Sequence, residues 1–208
     1  VVLESETDFV ATNENFRELT MKLATGFVTT DPGTDPNAQT IDGKAVSTIV
    51  EEGVALMREN IQLKKAVQVS APFVGGYIHH DRKSAALVCF NGTHEKAEEI
   101  AKFVGMQVVS LRPTFLNKDE IPAEVIEKEY DLQKRRAIEE GKPENIAENI
   151  AKGRINKEFF QETVLNEQPY FNDNKLTVSQ FVKDSSGGAL AITGFVRFAV
   201  GESASTEE

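Results

Sequence analysis

Residues 123–160 have the sequence AEVIEKEYDLQKRRAIEEGKPENIAENIAKGRINKEFF and carry a strong helix signal. The first part, 123–140, is charged, contains no proline and consists largely of residues with high helix propensity. Gly141–Lys142–Pro143 interrupts this pattern, and residues 143–160 are again helical in character. We therefore predict an antiparallel helical hairpin with arms of roughly 27 Å, at about 1.5 Å per residue.

The two arms of this hairpin need an apolar stripe along which they can pack. Val125, Ile126 and Ile138 on the first arm are expected to meet Ile146 and Ile150 on the second. The stripe is thin, so helix propensity and contacts at the base must supply part of the stability. The hairpin is expected to project from the body as a coiled coil.

A short strand and two amphipathic helices are predicted on the N-terminal side. Residues 1–3 are apolar and run into an acidic loop, after which Asn13 can cap a helix. Four apolar residues follow at helical spacing: Phe16, Leu19, Leu23 and Phe27. A loop at 29–42, with two Asp-Pro pairs, precedes a second helix at Val46–Met57.

Three apolar segments between the second helix and the hairpin predict an antiparallel meander: 61–70, 74–79 and 85–90. Gly75–Gly76 and Gly187–Gly188 are interpreted as turns. Thr93 is expected to cap a helix that ends near Gly105 or a little beyond. A short helix at 178–182 and a long final strand at 191–200 complete the pattern.

Together these elements predict an α+β fold with two small antiparallel-sheet/helix subdomains and an inserted antiparallel helical hairpin. We expect an N-terminal subdomain at 1–72 and a C-terminal subdomain at 73–201, with the hairpin inserted at about 123–165. The acidic tail at 202–208 is expected to be disordered.

Composition narrows the classes of function. The 208 residues include 33 acidic and 23 basic side chains, and the net charge of −10 argues against direct binding of nucleic acid. Cys89 is the only cysteine, which excludes an intrachain disulfide and suggests a buried thiol in a reducing compartment. No apolar stretch is long enough to predict a membrane span. A cytoplasmic, organelle-matrix or stromal location is expected.

Catalytic and metal sites find little support in the sequence. His79–His80–Asp81 offers metal-ligand or base chemistry, but neighbouring strand residues point to opposite faces, so the two histidines are not expected to hold one ion. Neither glycine pair lies in a phosphate-binding pattern. We predict no catalytic residue, no metal and no cofactor, and therefore a protein that performs no covalent chemistry.

The tetrapeptide Thr7–Asp8–Phe9–Val10 places an acid beside a large aromatic residue between a strand and a helix. Two interpretations are open. In the structural one, Phe9 packs under the following helix and Asp8 caps it. In the functional one, the pair faces a partner.

Several segments in order resemble the elongation factor Ts family. They are Glu6–Thr7–Asp8–Phe9–Val10–Ala11, Glu59–Asn60–Ile61–Gln62–Leu63–Lys64–Lys65, Glu127–Lys128–Glu129–Tyr130, Gly141–Lys142–Pro143, Lys152–Gly153–Arg154, Thr193–Gly194–Phe195–Val196–Arg197–Phe198 and Val200–Gly201–Glu202. Each match is short, but the matches occur in the order found in the family and together span almost the whole chain. The resemblance implies a guanine-nucleotide exchange factor for elongation factor Tu in translation elongation.

The resemblance also implies a set of partner-binding residues. In the family, the residues matching Asp8 and Phe9 push into the G domain and disturb its magnesium and phosphate-binding loops, and Thr7 and Val10 belong to the same motif. His79 matches a histidine of a Gly-x-Tyr-x-His strand. Further expected contacts are Met57, Arg58 and Asn60, although the family often carries Ile-Gly where this chain has Met57–Arg58.

Some expectations concern the wider assembly. Val1 is not a methionine and falls within a predicted strand, so an upstream segment is expected, and family members usually begin with a small helical module that docks on the G domain. The chain is expected to act as a monomer or homodimer in complex with elongation factor Tu. The alternative is a coiled-coil protein-interaction module without exchange activity.

Overall fold

The computed structural model describes residues 1–202 of the chain. These residues form two compact units: unit 1 contains Val1–Val69 and the chain from Phe198 onward, and unit 2 contains Ser70–Arg197. Apart from Glu202, the predicted acidic tail lies outside the described residues. Helices and small antiparallel sheets alternate along the chain, which confirms the α+β fold class.

Unit 1 begins with a strand that pairs with a distant segment. Its elements are β1 (Val2–Ser5), α1 (Asp8–Ala11), α2 (Glu14–Thr29), β2 (Thr40–Ile41), β3 (Lys44–Ala45), α3 (Val46–Met57) and β4 (Ile61–Lys65). Strand β1 pairs antiparallel with β4, and β2 pairs antiparallel with β3. The two long helices pack over the β1–β4 pair around one apolar core.

Helices α2 and α3 follow the sequence pattern closely. The Asn13 side chain accepts a hydrogen bond of 2.9 Å from the Asn15 backbone N–H, so the predicted cap of α2 is confirmed. The four residues predicted to line its apolar face are all buried. Helix α3 has the predicted bounds, and it ends where Arg58 takes a left-handed conformation.

Unit 2 is built on a three-stranded sheet. Its elements are β5 (Phe73–Ile78), β6 (Ser84–Phe90), α4 (Ala97–Leu111), α5 (Ala123–Glu139), α6 (Glu144–Arg154), a π-helical segment (Ile155–Phe159), α7 (Phe160–Thr163), β7 (Pro169–Tyr170), β8 (Asp173–Thr177), α8 (Val178–Ser185) and β9 (Ile192–Ala199). The strand order in the sheet is β5-β6-β9, and α4 packs on β5 and β6.

The predicted meander is wrong at its first strand. Strand β4 pairs with β1, and the third place beside β6 belongs to β9 from the far end of the chain. The buried side chains of β4, Ile61 and Leu63, belong to the core of unit 1, whereas Val88 and Phe90 of β6 belong to the core of unit 2. The prediction assumed that strands close in sequence pair with each other. Instead, β4 pairs with β1 because its buried side chains belong to the core of unit 1.

Helix α4 corrects two further expectations, because it begins after Lys96 rather than at Thr93 and continues through Gly105 to Leu111. A Cβ atom on Gly105 would lie 2.6 Å from Tyr77 Cβ, and one on Gly75 would lie 2.2 Å from Ala101 Cβ. These glycines therefore permit the close approach of α4 to β5. The interpretation of Gly75–Gly76 as a turn is wrong, since both lie inside β5.

The hairpin of α5 and α6 is antiparallel, as predicted, but its contact surface differs from the prediction. The buried residues are Gln133, Ala137, Ala147 and Ala151, whereas Ile138 and Ile146 are each 45% exposed. Small alanine side chains let two helices approach closely, and the isoleucines are left on the flanks of the contact. The expected meeting of Ile138 with Ile146 in a buried stripe is therefore wrong.

The hairpin also carries ion pairs between its arms and an apolar cluster at its base. Lys134 Nζ lies 3.0 Å from a Glu144 oxygen and 2.9 Å from a Glu148 oxygen, and Arg154 binds both oxygens of Glu140. The base cluster contains Ile121, Ile155, Phe160 and Val164. The base is thus packed independently of the polar tip.

Candidate functional site

The segment from Thr7 to Val10 is placed by the β1–β4 ladder. In this ladder Leu3 faces Leu63, Glu4 faces Gln62 and Ser5 faces Ile61. Continuing the same register by two residues brings Thr7 opposite Glu59. Strand β1 ends at Ser5, and beyond it the side chain of Glu59, not its backbone, bonds to Thr7.

Glu59 holds Thr7 with both oxygens of its carboxylate. Oε1 accepts the Thr7 backbone N–H at 2.7 Å, and Oε2 accepts the Thr7 hydroxyl at 2.6 Å. The hydrogen bond from the Thr7 side chain is the main reason that the pKa of the Glu59 carboxyl lies below its ordinary value. The carboxylate is therefore charged at neutral pH and fixes Thr7 at the start of α1.

Helix α1 is a single turn that displays Phe9. Thr7 Oγ1 accepts the Val10 N–H at 3.4 Å and so acts as the N-cap, while the Thr12 hydroxyl donates to the carbonyls of Asp8 and Phe9. The Phe9 side chain is 88% exposed, the largest value among the exposed large hydrophobic residues of the described chain. The structural interpretation, with Phe9 packed under a helix and Asp8 as the cap, is wrong.

Asp8 and Val10 occupy different sides of this turn. Asp8 is exposed in the first turn of α1. Val10 is partly buried and packs with Ala11 against the core of unit 1. The turn is thus anchored on one side and presents an acid and an aromatic ring on the other.

Met57, Arg58 and Asn60 lie in the segment that carries Glu59. Met57 closes α3 and packs on the core of unit 1, Arg58 is exposed with φ 55° and ψ 35°, and Asn60 is exposed just before β4. Through the bond from Glu59 to Thr7, unit 1 brings this segment and the Thr7–Val10 turn to the same end of the β1–β4 pair.

His79 belongs to unit 2, where it follows the last residue of β5. Its Nδ1 lies 2.9 Å from the Tyr77 hydroxyl, and its ring centroid lies 4.2 Å from that of His80. The expectation that the two rings point to opposite faces is wrong, because the strand ends at Ile78 and the histidines lie in a turn. Within residues 1–202, no three His, Cys, Asp or Glu side chains form a group that could hold a metal ion.

The comparison with protein families gives a match over nearly the whole described chain. The family described as Elongation factor TS matches residues 6–202. The chain belongs to the elongation factor Ts family. The resemblance predicted from the sequence is confirmed.

Individual elongation factor Ts proteins are similar over the same length. The protein of Nitratidesulfovibrio vulgaris is 40% identical over 220 residues, which cover 99% of this chain and 72% of the relative. That of Amoebophilus asiaticus is 39% identical and that of Thermobifida fusca 38% identical, over 97% and 96% of this chain and 73% and 72% of the relatives. The family places the chain among the factors of protein biosynthesis that act in translation elongation.

Glu59 lies in a segment that resembles the elongation factor Ts family, but its bond to Thr7 cannot be recognised from the sequence. The two residues are separated by 52 positions, and the link depends on the pairing of β1 with β4. Had that pairing been predicted, the alternation of Leu3, Ile61 and Leu63 would have supplied the register.

Two other expectations from the sequence concern Cys89 and membrane-spanning helices. Cys89 is buried in β6 as predicted, and burial raises the pKa of its thiol. In the part of the chain that the structure describes, no helix combines the length and the apolar character needed to cross a membrane.

Proposed function

We propose that this chain is a guanine-nucleotide exchange factor for elongation factor Tu, and that Phe9 and Asp8 promote GDP release by disturbing the Mg²⁺ and phosphate site of that GTPase. The observation that carries the proposal is the 88% exposure of Phe9 on a turn that is bonded to the scaffold. The chain itself performs no covalent chemistry in this mechanism.

Burial of Phe9 against the partner supplies part of the energy. An exposed phenylalanine gains about 1.5–3 kcal/mol when its side chain is removed from water. A gain of this size is enough to bias a mobile switch element of a GTPase between two arrangements. Because the turn is held before binding, little of this energy is lost in ordering it.

Asp8 contributes through charge. A GTPase holds GDP through Mg²⁺ and through the backbone donors of its phosphate loop. A carboxylate brought close to that site repels phosphate oxygens and competes for the donors and the metal. Asp8 lies directly before Phe9 on α1, so insertion of the ring carries the carboxylate with it.

Thermodynamic linkage fixes how exchange must work. The factor lowers the affinity for GDP only if it binds the nucleotide-free GTPase more tightly than the GDP-bound form. GDP must then weaken the binding of the factor by the same ratio. The exchange reaction is therefore reversible, and GTP can displace the factor in the same way.

The remaining candidate residues are proposed as further contacts with the partner. Thr7 and Val10 present the turn, Met57, Arg58 and Asn60 extend the contact surface of unit 1, and His79 contributes from unit 2. We further propose that the factor acts in the cytoplasm or an organelle matrix or stroma, as a monomer or homodimer, without direct contact to nucleic acid. The net charge of −10 supports the last point.

The test measures release of a fluorescent GDP analogue from elongation factor Tu. Phe9→Ala should slow the stimulated release by about 10-fold to 150-fold, as the loss of about 1.5–3 kcal/mol of burial implies. Met21→Ala is the matched control, because Met21 is also in unit 1 and is 67% exposed. Undiminished release with Asp8→Ala and Phe9→Ala combined would place the site elsewhere.

The alternative function is a coiled-coil interaction module without exchange activity. The antiparallel α5–α6 pair, with exposed Ile138 and Ile146, is the observation that favours it. Binding to elongation factor Tu with no change in the rate of GDP release would support this alternative over exchange.

A further inference from the structure

Helix α1 cannot hold its own conformation. It has four residues, none of which is buried, and isolated helices of this length do not form in water. Phe9 cannot anchor the turn either, because its ring has almost no contact with the rest of the chain. The geometry that presents Phe9 therefore depends on the packing of Val10 and Ala11 on the core of unit 1 and on bonds at the start of the turn.

Those bonds converge on the carboxylate of Glu59. It takes the backbone N–H of Thr7 on one oxygen and the hydroxyl of Thr7 on the other, at 2.7 Å and 2.6 Å. The same hydroxyl oxygen accepts the Val10 N–H. A chain of hydrogen bonds thus runs from the end of α3, through Thr7, into the turn that carries Phe9.

Both oxygens of a carboxylate are needed for this arrangement. Two donors of Thr7 point at Glu59, and an ionised carboxylate offers acceptors only. A glutamine in the same place would still accept the Thr7 N–H, but the Thr7 hydroxyl would have to rotate and accept from the amide N–H, and both bonds would lose the strength that the charge of the carboxylate gives them. A change from Glu59 to Gln should therefore weaken the link, and a change to Ala should remove it.

We propose that Glu59 is a positioning residue for nucleotide exchange, which fixes the Thr7–Val10 turn so that Phe9 is presented to the partner GTPase. This inference rests on the proposed function. It assigns to Glu59 no contact with nucleotide or metal, since it acts through Thr7 and α1.

The first measurement tests the link in the free protein. Hydrogen exchange of the Thr7 amide, followed by NMR, should be slow in the wild type and at least about tenfold faster in Glu59→Ala. Glu59→Gln should fall between them. The control is Glu52→Gln on α3, whose carboxylate pairs with Lys44 and has no bond to Thr7. An unchanged Thr7 amide in Glu59→Ala would overturn the proposal.

The second measurement tests the effect on exchange by a double-mutant cycle. Glu59→Ala alone should slow stimulated GDP release by about tenfold, the size of effect that loss of a helix cap produces. In a Phe9→Ala background the same change should slow release by less than about twofold, because the residue that Glu59 positions is gone. A loss of folding alone would lower the rate equally in both backgrounds.

The outcomes separate the two proposals. If Phe9→Ala slows release but Glu59→Ala and Glu59→Gln do not, the positioning role is wrong and the proposed function stands. If Phe9→Ala leaves release unchanged, the positioning role is wrong and so is the proposed role of Phe9, whereas exchange activity itself is tested by the combined Asp8→Ala and Phe9→Ala variant. Equal losses from Glu59→Ala in both backgrounds would also overturn the positioning role.

Discussion

At the scale of single residues, the exposed ring of Phe9 is explained by its neighbours in three dimensions. Thr7 is bonded to Glu59, Val10 packs on the core of unit 1, and Phe9 between them is 88% exposed. Exposing a phenylalanine forgoes the burial energy that a folded chain normally gains. An exposed ring on a turn that is bonded to the scaffold fits the proposed contact of Phe9 with a partner.

Arg58 is the second informative residue at this scale. It ends α3 in the left-handed region, with φ 55°, where a side chain is strained and glycine is favoured. Its backbone N–H still bonds to the Val54 carbonyl, as expected of a helix cap. This turn directs the chain toward Glu59 and β4.

We predict that Arg58→Gly raises the free energy of unfolding by up to about 1 kcal/mol, because the strain of a left-handed non-glycine residue is removed. Chemical denaturation is the measurement. The control is Ala55→Gly, an exposed position inside α3, which should lower stability by about 1 kcal/mol. A fall in stability for Arg58→Gly would show that its side chain contributes more than the strain costs.

At the scale of elements, the packing of α4 on β5 depends on positions without side chains. Gly105 faces Tyr77, and Gly75 faces Ala101, each at a distance that leaves no room for a Cβ atom. The turn that carries His79 follows directly from β5, so this packing also places a candidate contact residue. Helix propensity alone would favour alanine at position 105.

We predict opposite effects for two glycine-to-alanine changes in helices. Gly105→Ala should lower the free energy of unfolding by about 1–3 kcal/mol, because the new methyl group overlaps Tyr77. Gly153→Ala in α6 should raise it by up to about 1 kcal/mol, since nothing lies within 4 Å of the added atom. Thermal and urea unfolding measure both, and equal signs for the two variants would contradict the packing argument.

In the hairpin, close packing depends on alanine, whereas between α4 and β5 it depends on glycine. Alanines 137, 147 and 151 bring the arms together, and charged side chains join them across the outside. Ion pairs exposed to solvent are screened by salt and stabilise little, so the arms depend on their short packing distance. The isoleucines on the flanks remain available for contact with another protein.

At the scale of the whole molecule, the candidate partner-binding elements are distributed over both units. The Thr7–Val10 turn and the Glu59 segment belong to unit 1, while His79 and the hairpin belong to unit 2. Because the base cluster of the hairpin is packed separately from its tip, the tip can be removed without exposing that cluster. The roles of the two units are therefore separable by experiment.

We predict that replacing residues 134–150 by a short glycine linker weakens binding to elongation factor Tu. The reason is that we expect the hairpin, with its exposed Ile138 and Ile146, to contact the partner outside its nucleotide site. The body should remain folded, which circular dichroism and the melting temperature would check. At saturating concentration, GDP release should still depend on Phe9. Undiminished affinity in the trimmed protein would remove the hairpin from the interface.

The sequence by itself determined the helices α2, α3 and α5, the hairpin, the α+β class and the family. These features depend on residues three or four positions apart, or on short motifs in a fixed order, so residues close together in the sequence are enough to predict them. Only the tertiary structure decided that β1 pairs with β4, that β9 joins β6, that Gly105 lies against Tyr77, and that Phe9 is exposed. Each of these depends on contacts between residues far apart in sequence, and such contacts are selected by which core can bury them.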